Sequence, residues 1–193
     1  LIKILLGMNH ADKGDILVDE TSIKNDWSYR KNIDYLPQIA NFPGNIKVKE
    51  IFAMIKDLRH QKTRDKELID YFGLKPYLKA KLNNLSGGYK QKVNLVLSLM
   101  FDSPFIILDE PTSGLDPVSL IKLKKLLKEE QDKGKTILIT SHIMSFVEEI
   151  SDRISFILDG KVYFDGNIEE LKSITGETDF EYAIANLLKK ENV

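Results

Sequence analysis

The sequence contains no cysteine. That excludes a disulfide framework, thiolate zinc sites and thiol catalysis, and it fits a reducing compartment, so the cytoplasm is the expected location. Neither sign of charge is in excess either: 28 Lys+Arg against 29 Asp+Glu give a net charge of -1. Nothing in that balance draws the chain to nucleic acid or to an acidic membrane surface, so any membrane association is expected to run through a partner. Long hydrophobic runs are missing as well. The apolar stretch Val93–Phe101 falls far short of the roughly 20 residues with which a helix crosses a bilayer. Leu1–Gly7 carries neither a basic leader nor a cleavage site, and no initiating Met or N-cap precedes it. The expectation is a chain that begins inside a longer natural sequence.

With 193 residues there is room for one sizeable α/β domain. Leu1–Leu6 reads as a helix stopped by Gly7, and Gly14–Glu20, with Ile16, Leu17 and Val18, as a strand. A helical turn over Asp26–Lys31 and a strand over Asn32–Leu36, ended by Pro37, come next. Helical spacing then predicts Val48–Arg59, Arg64–Phe72 and Pro76–Ala80 as helices, with Ile51, Met54, Ile55 and Leu58 as the core of this insert. Gly88–Phe101 reads as a buried helix and Phe105–Leu108 as a strand buried on both faces of a parallel sheet. An amphipathic helix over Val118–Lys133, a stop at Gly134 and a strand over Thr136–Thr140 follow. Ile143–Ile150 reads as a helix, Arg153–Leu158 and Lys161–Phe164 as a hairpin around Asp159-Gly160, and the tail from Ile168 as helical. The expected fold class is α/β, a parallel sheet with an antiparallel appendage.

Two constellations carry chemistry. Asp109-Glu110-Pro111 follows four apolar residues, so both acids lie at the carboxyl end of a strand, where open parallel sheets bind ligands. Taken alone, this is equally a buried strand whose polar end returns to solvent. Leu85-Ser86-Gly87-Gly88 precedes the buried helix, with Ser86 placed as its N-cap and a positive dipole end facing outward. An ordinary cap explains the serine but not two successive glycines, each costing about 1 kcal/mol against alanine inside a helix. Close backbone approach to a phosphate explains them.

In order and spacing, Leu85-Ser86-Gly87-Gly88-Tyr89-Lys90-Gln91-Lys92, Phe105–Glu110 and Ser113-Gly114-Leu115-Asp116 resemble the signature motif, Walker B strand and D-loop of ABC-type ATPases. The resemblance takes in Gln38, after Tyr35-Leu36-Pro37, as the Q-loop glutamine and His142 as the switch histidine. It implies a P-loop NTPase-like core over residues 1–193, with 40–84 as an inserted helical subdomain, and ATP with Mg²⁺ as cofactors. It further implies Asp109 and Gln38 at the metal, Glu110 acting on the attacking water, and His142 holding the γ-phosphate beside it. Two such domains pack head to tail in this family, and Ser86, Gly87 and Gly88 would contact the γ-phosphate across that interface while Asp116 couples the two sites.

One part of the pattern is missing. No G-x-x-x-x-G-K-[ST] occurs in the sequence, although that loop supplies amides, a lysine and a magnesium-binding hydroxyl to the phosphates. Gly134-Lys135-Thr136 is no substitute: Glu129 stands where its first glycine should be, and the segment leads from helix to strand. The sequence therefore reads as starting just after the loop, with the adenine-stacking aromatic also upstream, and the fragment is not expected to turn over ATP. The implied function is the ATP-hydrolysing subunit of an ABC transporter, attached through a transmembrane permease subunit to the inner face of the cell membrane. The Ala40–Asn45 loop, with Phe42 and Pro43, is the candidate contact with that permease. Pro37–Pro43, Gln91–Asn94 and Phe164-Asp165-Gly166 are similar to the ATPase of the transporter for nitrous-oxide-reductase maturation, a copper-processing system. The alternatives are a soluble ABC-type ATPase acting on ribosomes or DNA, for which neither paired domains nor basic patches are seen, and a non-enzymatic interaction fragment.

Overall fold

The computed structural model describes residues 1–24 and 26–190, and of Lys190 the backbone only. The expected helical tail beyond Lys190 lies outside the described residues. The chain divides into two compact units, Leu1–Thr140 and the residues from Ser141 onward.

The first unit is built on a parallel sheet of three strands, β3 (Ile33–Leu36), β4 (Phe105–Asp109) and β5 (Thr136–Thr140), in that order. Strand β4 lies in the middle, with Leu36 opposite Leu108 on one side and Asp109 opposite Thr140 on the other. Its Ile106, Ile107 and Leu108 are fully buried, as a strand covered on both faces requires. On one face the short helix α1 (Ile2–Leu5) sets Leu5 against Ile33 and Ile107, and the Tyr29 hydroxyl donates to the Leu5 carbonyl at 2.6 Å. The expected strand near Leu17 is one arm of a small antiparallel ladder, β1 (Leu17–Val18) with β2 (Thr21–Ser22). Asp19 and Glu20 turn it with positive φ, which the apolar trio alone does not signal.

Helices α2 (Val48–Arg59) and α3 (Asp65–Tyr71) lie between β3 and β4 in the chain, followed by α4 (Gly87–Leu99). The expected helix at Pro76–Ala80 is a single 3₁₀ turn, Lys75–Tyr77. The expected core of the insert needs correcting. Val48, Ile51 and Phe52 are buried, but Met54 is 40% and Leu58 71% exposed: the helical period turns Met54 to the flank of the buried stripe, whereas Leu58, seven residues after Ile51, keeps to its side but stands in the last turn of α2. Helix α4 is the central one: Val93, Leu95, Val96 and Leu99 have no exposed surface, and each such side chain contributes about 2 kcal/mol by leaving water. Helix α5 (Pro117–Asp132) begins with Pro at its first position behind an Asp116 cap, and Gly134 ends the turn before β5 at φ +82°.

Two buried ion networks tie the insert to the sheet. Asp34 on β3, 1% exposed, accepts from Arg59 Nη1 at 2.8 Å and from the Ser103 hydroxyl at 2.8 Å, while Arg59 lies 4.2 Å over the Phe101 ring. Glu130 on α5, with no exposed surface, accepts from Arg64 at 2.7 Å and Lys133 at 2.8 Å and pairs with Lys135 at 2.5 Å.

The second unit has its own core. Helix α6 (Met144–Ile150) leads to the hairpin β6 (Ile154–Leu158) and β7 (Lys161–Gly166), turned by Asp159 at φ +48° and Gly160 at φ +75°. Positive φ at both central residues is what a type I′ hairpin needs. Helix α7 (Ile168–Thr175), with a capping box of Asn167 and Glu170, and α8 (Phe180–Lys190) close Leu171, Phe180 and Ala183 over Phe164 and Ile154.

The Glu130 network makes stability pH-dependent. Burial pushes the Glu130 carboxyl up, but Arg64, Lys133 and Lys135 outweigh burial and hold it at about 2 rather than the usual 4.5. A lowered folded value means stability that is complete above pH 4.5 and is lost as pH falls toward 2, worth about 3 kcal/mol. Glu130→Gln is therefore expected to cost about that much at pH 7 and to flatten the acid limb, measured by urea unfolding between pH 2 and 7.

Candidate functional site

Parallel pairing brings the carboxyl ends of β3, β4 and β5 to one edge of the sheet, and the expected acids stand there. Asp109 is the last residue of β4, and its Oδ1 accepts from the Thr140 hydroxyl at 2.5 Å. Burial, and then the Asp109 charge, push the Tyr35 hydroxyl above its usual range, which places that charge beside β3 as well. Gln38 is exposed, two residues past Leu36, whose register partner Leu108 is two residues before Glu110.

Glu110 does not continue the strand. Its backbone turns left-handed, φ +52°, a conformation that costs a non-glycine residue on the order of 1–2 kcal/mol. The turn is held on both sides: the Glu110 N–H donates to the Thr140 carbonyl at 3.1 Å, and the Glu110 carbonyl accepts from the Ser113 N–H at 3.2 Å. The chain thereby leaves the sheet at its carboxyl edge with the second acid at the point of departure. Sequence reading placed both acids at the strand end but did not find the turn; the only signal is Pro111, which disfavours the right-handed helical region before it.

Ser86 is the N-cap of α4, as its position predicts, but its Oγ accepts from the Tyr89 N–H at a long 3.5 Å. Such a weak bond leaves the exposed hydroxyl able to take another partner. The two glycines differ. A Cβ on Gly87 would meet nothing within 4 Å, whereas one on Gly88 would lie 2.8 Å from the Gly114 carbonyl oxygen. Gly88 is thus required by packing inside this chain, whereas the backbone at Gly87 is left open.

Asp116 is fully engaged. It caps α5 by accepting from the Ser119 N–H at 2.9 Å and the Ser119 hydroxyl at 2.8 Å, and its Oδ2 lies 2.7 Å from Lys92 Nζ. The bond from Lys92, then those from Ser119, hold its carboxyl well below the usual carboxylate range. Gln38, Ser86–Gly88, Asp109, Glu110 and Asp116 thus all belong to the first unit. His142 belongs to the second unit, exposed in the bend before α6.

The oxygens of Asp109 and Gln38 are hard donors of the kind Mg²⁺ takes, one or two carboxylates with water and phosphate completing an octahedron. They fit such an ion at the edge of the sheet.

Residues 1–113 match the family described as ABC transporter. The chain belongs to the ABC transporter ATP-binding family. It is 32% identical over 183 residues to the lantibiotic transport ATP-binding protein SrtF of Streptococcus pyogenes, an alignment covering 89% of this chain and 77% of that protein. To the Nod factor export ATP-binding protein I of Burkholderia lata it is 33% identical over 173 residues, covering 86% of this chain and 56% of the relative. The chain therefore spans little more than half the length of that relative. A solved structure of the ATP-binding subunit of an ABC transporter superposes with a TM-score of 0.88, covering 97% of this chain and 81% of its own, at 24% identity. That likeness establishes the fold of this ABC domain.

The glycine asymmetry is testable. In the ABC domain Gly88→Ala is expected to destabilise by about 1–2 kcal/mol, because backbone rather than a flexible side chain opposes the new methyl. Gly87→Ala is expected to stay within about 0.5 kcal/mol of the parent. Equal losses in urea unfolding would show that the close approach to Gly114 is not what Gly88 serves.

Proposed function

We propose that this chain is the ATP-binding and ATP-hydrolysing part of an ABC transporter subunit, made of residues 1–193 as one ABC ATPase domain with 40–84 as its helical subdomain. The observation that carries the reading is the carboxyl edge of the sheet, where Asp109, the left-handed Glu110 and Gln38 follow adjacent parallel strands. Mg²⁺ bound there with ATP would neutralise charge on the phosphates. Asp109 would orient its waters, with the Gln38 amide oxygen completing the set. Glu110, turned out of the strand, would orient the attacking water and accept its proton, and His142 would hold the γ-phosphate. The Ser86 hydroxyl and the amides of Gly87 and Gly88 would donate to the nucleotide of a second ABC domain packed head to tail.

Transport requires a membrane-spanning partner, since none of the helices among the described residues is long and apolar enough to cross a membrane. A groove of about 340 Å³ that reaches Pro37, the residue before Gln38, supports that partner: Ala40, Phe42, Ile55 and Phe101 line it together with Arg30 and Arg59. Its lining is mostly apolar and takes in Ala40 and Phe42 of the Ala40–Asn45 loop, as a docking site for a permease segment would. Such docking would hold the chain at the inner face of the membrane from the cytoplasmic side. The wording Pro37–Pro43 supports the narrower assignment to the transporter for nitrous-oxide-reductase maturation, whereas the names of the relatives above concern Nod factor and lantibiotics.

Because no G-x-x-x-x-G-K-[ST] is present in these residues, the chain by itself is expected not to turn over Mg-ATP. Turnover that Glu110→Gln abolishes would defeat that expectation. Co-purification with a permease, lost on Phe42→Asp in a chain that still folds, is the expected sign of a transporter subunit; stimulation of ATPase activity by nucleic acid would point instead to a soluble ABC ATPase.

A further inference from the structure

Gly88, Gln91 and Lys92 stand at i, i+3 and i+4 on α4 and so share one face. All three touch the connection from β4 to α5, residues 111–116. Gly88 approaches the Gly114 carbonyl so closely that a Cβ would lie 2.8 Å from it. Gln91, 8% exposed, donates from Nε2 to the Pro111 carbonyl at 3.2 Å. Lys92, its side chain 12% exposed, sets its ammonium 2.7 Å from Asp116 Oδ2 and 4.8 Å over the Tyr89 ring. The connection has little slack of its own, since the Ser113 N–H donates to Glu110 and the Leu115 N–H to Thr112, each at 3.2 Å.

We infer that Gln91 and Lys92 are positioning residues that lock the connection carrying Glu110 to the helix carrying Ser86 and Gly87, so that the two move as one body. The contacts fall at both ends of the connection. Gln91 holds the residue next to Glu110, and Lys92 holds the aspartate that starts α5. Glu110 cannot leave its left-handed conformation without moving Pro111, and Pro111 cannot move without breaking a buried hydrogen bond to α4, which would leave the Gln91 amide unpaired. A ligand that draws in Ser86 and Gly87 therefore resets the direction of the Glu110 carboxylate through α4. The catalytic consequence rests on the ATPase reading above; the mechanical lock does not.

Two measurements separate them. In this chain, Lys92→Met is expected to speed hydrogen exchange at residues 112–116 by about tenfold or more while Lys92→Arg stays near the parent. In a form of the protein that hydrolyses ATP, Lys92→Met is expected to lower kcat about tenfold with KM for ATP within about twofold, Lys92→Arg recovering most of it. Gln91→Ala should give the same split and serves if Lys92→Met fails to fold. Unchanged exchange in both variants overturns the lock, and a raised KM with unchanged kcat overturns its link to Glu110. Glu110→Gln is run beside them: wild-type kcat in that variant removes the reading of the acids, while the exchange result still decides the lock.

Discussion

Strand β4 is hydrogen-bonded in parallel on both sides, and the rest of the first unit follows from that. A strand so placed needs apolar residues throughout, which Phe105–Leu108 supply, and it can turn polar only where it leaves the sheet. Parallel pairing puts the carboxyl ends of β3 and β5 at the same edge, so Thr140 arrives beside Asp109 and Gln38 follows the end of the neighbouring strand. The left-handed turn at Glu110 belongs to the same constraint. The backbone must leave a sheet covered on both faces, and it does so through a residue whose N–H is still bonded to the neighbouring strand.

Charge is buried where that frame meets its insert. Asp34 on β3 has almost no exposed surface, and its partners come from the end of α2 and the turn before β4. Removing either partner would strand a charge in the interior, so the pairing fixes how the insert is seated more than it adds net stability. Glu130 does the same between α3, α5 and β5. Both networks lie away from the carboxyl edge, Asp34 near the start of β3 and Lys135 just before β5.

Much of this was legible in the residues. Apolar runs and stops located α2, α4, β4, α5 and β5 within a residue or two, since each has a strong period or a glycine or proline at its border. The misses share a cause. The Leu17–Ser22 ladder, the exposure of Met54 and Leu58, and the 3₁₀ turn at Lys75–Tyr77 depend on what packs against them rather than on local pattern. In the site, residue types and order revealed the acids, the cap and the glycines, but not that Gly88 serves packing or that Asp116 is held by Lys92. Those are contacts across 26 and 24 residues of chain, between Gly88 and Gly114 and between Lys92 and Asp116. The i, i+3, i+4 spacing of Gly88, Gln91 and Lys92 was present in the sequence, yet a helix face becomes a statement only once its partner is known.

The division of labour between the two glycines bears on how such a site can work. A phosphate-binding helix end must offer open backbone, which is entropically costly and mechanically weak. If the start of α4 takes a phosphate as proposed, Gly87 would offer the opening, and one residue later Gly88 is pressed against Gly114, so the weak point would be backed at once by rigid contact. The same α4 face continues that support through Gln91 and Lys92 to the start of α5. A helix end braced in this way can pass a small displacement to the acids at the sheet edge without dissipating it in the loop. The surroundings of Gly87 are thus as much a part of the site as the open amide itself.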